Sequence, residues 1–176
     1  LPFVLPFVLI PEYIRNRTSE IRNQLSPVVI IYTDGAARGN PGPGGYGVVL
    51  MSGQHHREIS AGFRFTTNNR MELLAVIVAL EALKVENSDV TVYTDSRYVV
   101  DALNKGWLND WVKKRFKGKK NQDLWLRFLQ VYPKHRVNFI WIKGHSENPW
   151  NERCDQLAVA ASTGKMLMDD TGYNPE

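Results

Sequence analysis

The sequence predicts a mixed α/β fold, a five-stranded sheet flanked by helices. Three observations carry this. Three β-like runs come first, and helical and strand-like patterns then alternate, which is the order of a mixed sheet covered by helices. Two of the strand-like runs, "VVIIYTDGAARG" and "VTVYTDSRYVV", end alike, an apolar stretch passing through Tyr-Thr into Asp34 and Asp95. A hydrophobic content of 43% over 176 residues suffices for one core without disulfide or metal staples.

Residues 1–27 read as an N-terminal extension and residues 28–176 as the folded domain. The opening "LPFVLPFVLI" is a tandem repeat without a basic leader. A bilayer span needs roughly 20 apolar residues and a secretory signal carries a basic leader, so neither reading fits. Two prolines exclude a regular helix, and the expectation is packing on the body through Phe3, Val4, Phe7 and Val8.

Residues 28–33 are apolar at both alternating positions, the pattern of a central strand covered on both sides, and they run into Asp34 and a glycine-rich turn. Residues 45–51 and 58–65 are β-like runs joined by the polar "SGQHH", which predicts a hairpin. "TTNN" supplies N-cap candidates before "RMELLAVIVALEAL", a helix apolar nearly all round and therefore buried. Residues 90–94 form the next strand, 96–104 a helix closed by Gly106, and 107–112 a short helical turn entering a basic loop. "NQDLWLRFLQVY" is an amphipathic helix stopped by Pro133, "RVNFIWI" the last strand and "NERCDQLAVAAS" the last helix.

The chain has a formal net charge of +4, and six positive residues fall within "KKRFKGKK" alone. The basicity is thus a local patch suited to a polyanion such as nucleic acid, although a solvated basic loop would look the same. Cys154 is the only cysteine, which rules out an intramolecular disulfide and makes a reducing, cytoplasmic setting the default.

Four acids stand out. If the strands ending at Asp34 and Asp95 are parallel neighbours, their carboxylates meet at the carboxyl edge of the sheet, where sites form in such folds. Glu72 lies in the first turn of an otherwise apolar helix, and Asp155 precedes the apolar part of the last one. Singly, each could end a strand, cap a turn or favour a helix N-terminus. Four converging acids would repel and take up protons unless a cation neutralised them. An all-oxygen set suits Mg²⁺, with Mn²⁺ as a substitute, and no Cys/His cluster favours zinc. Two such ions can activate a water and stabilise the leaving oxygen in phosphodiester cleavage.

These stretches resemble type 1 ribonuclease H, enzymes that cut the RNA strand of RNA/DNA hybrids. The matching motifs are "YTDGAARGNPGPGGYG", "TTNNRMELLAVIVALEAL", "YTDSRYV", "NQDLW", "KGH", "NERCDQLA" and "DDTGY", in family order. The resemblance implies the ribonuclease H-like fold and a two-metal, in-line hydrolysis leaving 5′-phosphate and 3′-hydroxyl ends. It carries the catalytic and metal-binding carboxylates onto Asp34, Glu72, Asp95 and Asp155, and a mobile histidine that assists proton movement or product release onto His145. It places Asn40, Asn68 and Asn69 in the hybrid's minor groove, where 2′-hydroxyls distinguish RNA. Thr67, Ser96 and Asn121 match a pocket for a DNA-strand phosphate; helix capping is the alternative for the asparagines.

The basic loop matches the family's substrate-binding protrusion, with Lys113, Lys114 and Lys117 against phosphates and Trp111 and Phe116 as aromatic contacts. Trp107 and Trp125 are expected to pack, while His55, His56 and His135 read as surface histidines. The chain departs from the pattern at Phe116, often a tryptophan, and at Phe65, where some members place a phosphate-pocket arginine beside the position of Arg64. A monomer without a membrane partner is expected. The rivals are another nuclease of the same fold, a hybrid-binding protein without catalysis, and recruitment of a membrane or partner by the LPFV segment.

Overall fold

The computed structural model describes residues 26–144 and 147–175. The expected packing of Phe3, Val4, Phe7 and Val8 lies outside the described residues. Among the described residues, six strands form one sheet in the order β5-β4-β1-β2-β3-β6. They are β1 (Val28–Ala37), β2 (Gly42–Ser52), β3 (His55–Thr66), β4 (Asp89–Thr94), β5 (Arg136–Trp141) and β6 (Leu167–Met168). β2 runs antiparallel to both β1 and β3, whereas β4 and β5 lie parallel to β1. The sixth strand is a two-residue pairing on the edge of β3, too short to leave a period in the sequence.

The α-helices among the described residues are α1 (Asn68–Glu81), α2 (Arg97–Asn104), α3 (Trp107–Lys113), α4 (Gln122–Val131) and α5 (Pro149–Ser162). α1 packs between the sheet and α4, which is why its residues are apolar all round: Leu73, Ala75, Val76, Ile77, Ala79 and Leu80 are fully buried. Thr67 caps it, its hydroxyl accepting from the Arg70 amide. α5 crosses the opposite face over β1, β2 and β3.

The glycine-rich stretch after Asp34 differs from the expected turn. β1 continues through Asp34 to Ala37, and Gly44–Gly47 pair with it as strand. Glycine is needed there for contact: a Cβ on Gly35 would collide with the Glu72 amide, and one on Gly47 with the Cys154 carbonyl. The absent side chains let α1 approach β1 on one side of the sheet and α5 approach β2 on the other. The reading of β1 as covered on both faces is also corrected. Val29 and Ile31 are buried, but Val28 and Ile30 on the other face are exposed, because α5 crosses the sheet away from them. No helix among the described residues is long and apolar enough to cross a membrane.

Candidate active site

Strand register builds the site. Thr33 of β1 pairs with Thr94 of β4 in parallel, so the residues that follow, Asp34 within β1 and Asp95 just past the end of β4, lie side by side. α1 brings Glu72 to them over Gly35. One carboxylate oxygen from each of Asp34, Glu72 and Asp95 lies within 4.8 Å of the others. Asp34 and Glu72 are buried and Asp95 is half-buried.

Little among the described residues compensates the charge of Asp34 and Glu72. Asp34 Oδ1 accepts from the Gly35 amide at 2.7 Å, and Glu72 Oε1 from Asn68 Nδ2 at 3.3 Å. Glu72 Oε2 is buried with no hydrogen-bond partner among the described residues. Burial, reinforced by the charges of Asp95 and Asp155, pushes the Asp34 carboxyl from 3.8 up to about 8. Burial, with Asp34 and Asp95 beside it, also drives Glu72 well above the usual carboxylate range. A buried carboxylate oxygen without a donor, facing two more carboxylates, is a donor set that a hard divalent cation fits.

Asp155 is half-buried on α5 and stands outside the 4.8 Å group, yet its charge reaches Asp34. Neither helical acid occupies a helix N-terminus. Glu72 is the fifth residue of α1, one turn later than expected, and Asp155 the seventh of α5, so the dipole explanation fails for both. His145 lies outside the described residues. Its neighbour Gly144 packs on the Asp95 carboxylate so closely that a Cβ would sit 2.5 Å from Oδ2.

Among the expected substrate residues, Asn40, Asn68 and Asn69 meet at the start of α1. Asn40 Oδ1 accepts from the Asn68 amide at 3.1 Å, joining the loop after β1 to the start of α1, and Asn69 beside them is exposed. Ser96 is buried and caps α2, accepting from the Val99 amide at 3.4 Å. Asn121 is bonded to Arg70 and to Tyr98. Lys113, Lys114 and Lys117 are exposed, and none enters an ion pair among the described residues.

Phe116 is corrected. It is 5% exposed and belongs to the core, because Arg115 and Phe116 both adopt left-handed backbone (φ 50° and 55°) and turn the ring inward beneath the lysines. Trp111 is half-buried edge-on to Trp125, with Lys119 over its ring. Trp125 packs fully, as expected, whereas Trp107 is 42% exposed. Among the histidines, His55 and His56 are exposed but His135 is buried.

Sequence reasoning missed two features. Arg70, 2% exposed, is bidentate to Asp123 (2.6 and 2.9 Å) and bonded twice to Asp170 (both 2.7 Å), which also accepts from Thr66. An arginine inside an apolar helix was the signal. Beside the acids, Trp141 Nε1 donates to the Asp95 carbonyl at 2.9 Å, and the Arg97 guanidinium stacks 4.0 Å over the same indole. Arg64 pairs with Asp169 across the surface, and Phe65 leans on Tyr173.

Comparison with known proteins agrees with this geometry. The model of the RNase H family matches residues 26–163. A ribonuclease H of Syntrophus aciditrophicus (strain SB) is 53% identical over 150 residues, covering 82% of this chain and 86% of the relative. Among solved structures, LC9-RNase H1, described as a type 1 RNase H with the type 2 active-site motif, superposes with a TM-score of 0.73 at 34% identity, over 80% of this chain and 74% of its own. LC11-RNase H1 in complex with an RNA/DNA hybrid gives 0.52 at 30% identity, over 76% and 95%.

Proposed function

The chain belongs to the RNase H family and is an endoribonuclease, and on that premise we propose that it hydrolyses the RNA strand of RNA/DNA hybrids in a reaction that depends on divalent cations. The observation that carries this is the convergence of Asp34, Glu72 and Asp95 within 4.8 Å, two of them buried and short of donors. Binding alone gives no reason to hold that repulsion.

Asp34, Glu72 and Asp95, with Asp155 beside them, would hold Mg²⁺ or Mn²⁺. Bound there as a pair, the cations would supply an activated water for in-line attack and neutralise the oxygen that leaves, giving 5′-phosphate and 3′-hydroxyl ends. The remaining work falls to the chain itself. Asn68 holds Glu72 through Nδ2, and Trp141 holds the backbone of Asp95. Asn40, Asn68 and Asn69, at the mouth of the site, suit 2′-hydroxyls, which donate and accept as amides do. Thr67, Ser96 and Asn121 would take a phosphate of the DNA strand, and the exposed lysines 113, 114 and 117 the flanking backbone. His145 would assist proton movement or product release. The catalytic unit would be residues 28–176, with residues 1–27 an extension.

The test is cleavage of an end-labelled RNA/DNA hybrid, beside matched double-stranded RNA and DNA, with Mg²⁺ and with EDTA. Cation-dependent cutting confined to the RNA of the hybrid is expected. Tight hybrid binding without cutting in either Mg²⁺ or Mn²⁺ would overturn the catalytic reading in favour of a binding module.

A further inference from the structure

Asn121 occupies the N-cap position of α4 yet does not cap it. A capping asparagine adopts extended backbone and turns its oxygen onto the first amides of the helix. Asn121 instead has left-handed backbone (φ 60°, ψ 32°) and makes no side-chain cap bond. Its amide is engaged elsewhere. Arg70 Nη1 donates to Oδ1 at 3.4 Å, and Nδ2 donates to the Tyr98 hydroxyl at 3.1 Å.

The chemistry of these partners sets the amide's orientation. A guanidinium has only donors, so the Asn121 oxygen must face Arg70 and the nitrogen must face Tyr98. Arg70 cannot turn away, because Asp123 and Asp170 hold it on both sides. The Tyr98 oxygen also accepts from Trp125 Nε1 at 2.8 Å, so it receives two donors at once. Burial raises the phenol above its ordinary value, which keeps the hydroxyl protonated. Of the two N–H groups on the Asn121 amide, one is engaged by Tyr98. The other is the donor left over.

We propose that Tyr98 is a positioning residue: it fixes the Asn121 amide so that its remaining N–H is presented to a phosphate of the bound nucleic acid. This rests on the hybrid-cleaving reading above. Without the hydroxyl, Asn121 loses one of its two anchors, and its amide is free to rotate away from the phosphate. The effect falls on substrate binding, since the Tyr98 hydroxyl is bonded to Asn121 and Trp125.

Steady-state cleavage of an RNA/DNA hybrid by four variants tests this. Tyr98→Phe is expected to raise KM about fivefold, the size of one net hydrogen bond, with kcat within about twofold. Asn121→Ala is expected to raise KM at least as much, and the double variant no further. Trp125→Phe removes the other donor to Tyr98; it should lower thermal stability and leave KM unchanged, separating loss of packing from loss of positioning. An unchanged KM in Tyr98→Phe beside a raised KM in Asn121→Ala overturns this inference alone, as does a Tyr98→Phe effect that persists in the Asn121→Ala background. An unchanged KM in Asn121→Ala removes the phosphate role of Asn121 and this inference with it, and a wild-type protein that does not cut the hybrid removes the reading beneath both.

Discussion

Replacing Asp34 with Asn probes the acid cluster through stability as well as rate. The substitution keeps the oxygen that accepts from Gly35 and removes the charge. Two unit charges 4.8 Å apart repel by about 3.5 kcal/mol at an effective dielectric constant of ~20. Protonation leads to a similar figure. With its carboxyl raised from 3.8 to about 8, Asp34 must take up a proton to fold at pH 7. That costs ~1.4 kcal/mol for each pH unit above the unfolded value, or roughly 4 kcal/mol. The cation-free variant should therefore be more stable than wild type by about 3 kcal/mol, which for a chain of this size raises Tm by roughly 6–12 °C. Because the folded pKa lies above the unfolded one, this contribution to wild-type stability is complete below about pH 4 and is lost as pH rises through about 8. The gain from Asn should accordingly vanish near pH 4 and be largest near pH 8. Circular-dichroism melts in EDTA across this range measure it, with hybrid cleavage in Mg²⁺ abolished in parallel. A variant that melts at or below wild type at pH 8 in EDTA would refute the strained cluster.

Phe116→Ala should cost about 3 kcal/mol in urea denaturation, because it empties a buried site, and should weaken hybrid affinity, because the left-handed turn at Arg115 and Phe116 loses its anchor. A contact residue would lose affinity without stability. Changing Lys113, Lys114 and Lys117 together to Ala should lower hybrid affinity and reduce the slope of log K against log salt by about 2 to 3, read from binding titrations at several salt concentrations. An unchanged slope removes the loop from the interface. His135 is buried with Nδ1 unpartnered, and burial holds its pKa below 6.5 despite the opposing pull of Glu86. Its contribution to stability should be present above pH 6.5 and lost as pH falls through the lower folded value. The urea midpoint of His135→Gln should then vary less than that of wild type between pH 5 and 7.

Much of the site was legible because the carboxylates ride on repeated or anomalous patterns. The shared Tyr-Thr-Asp ending announced that β1 and β4 deliver Asp34 and Asp95 alike, and the register of Thr33 with Thr94 is the physical form of that repeat. Glu72 was visible as an acid in an apolar helix, although its turn was misplaced by one because the cap is Thr67 rather than a later residue. What stayed hidden depends on distant partners or on backbone. Arg70 meets acids 53 and 100 residues away, which no local period encodes. Phe116 lies in a run of lysines, and only its left-handed backbone turns it inward. The glycines after Asp34 looked like a turn because glycine usually marks one; here most pair as strand, and their lack of Cβ atoms admits two helices.

Arg70 and Glu72 stand two positions apart on α1, and residues so spaced point to opposite sides of a helix. Arg70 is tied by Asp123 and Asp170 to the start of α4 and to the C-terminal segment, while Glu72 is directed toward Asp34 and Asp95. These charge systems have opposite character. The arginine's charge is met by two carboxylates, and removing Arg70 would leave the buried Asp170 without its counter-ion. No cation among the described residues pairs with Asp34 or Glu72, and the charges of Asp34 and Asp95 act to push Glu72, and α1 with it, away from β1. The ion cluster around Arg70 and the apolar flanks of α1 oppose that displacement, holding the carboxylate in place when no cation does. A cation entering the site would then find its ligands already assembled, with the cost of assembling them met by packing on the far side of the same helix.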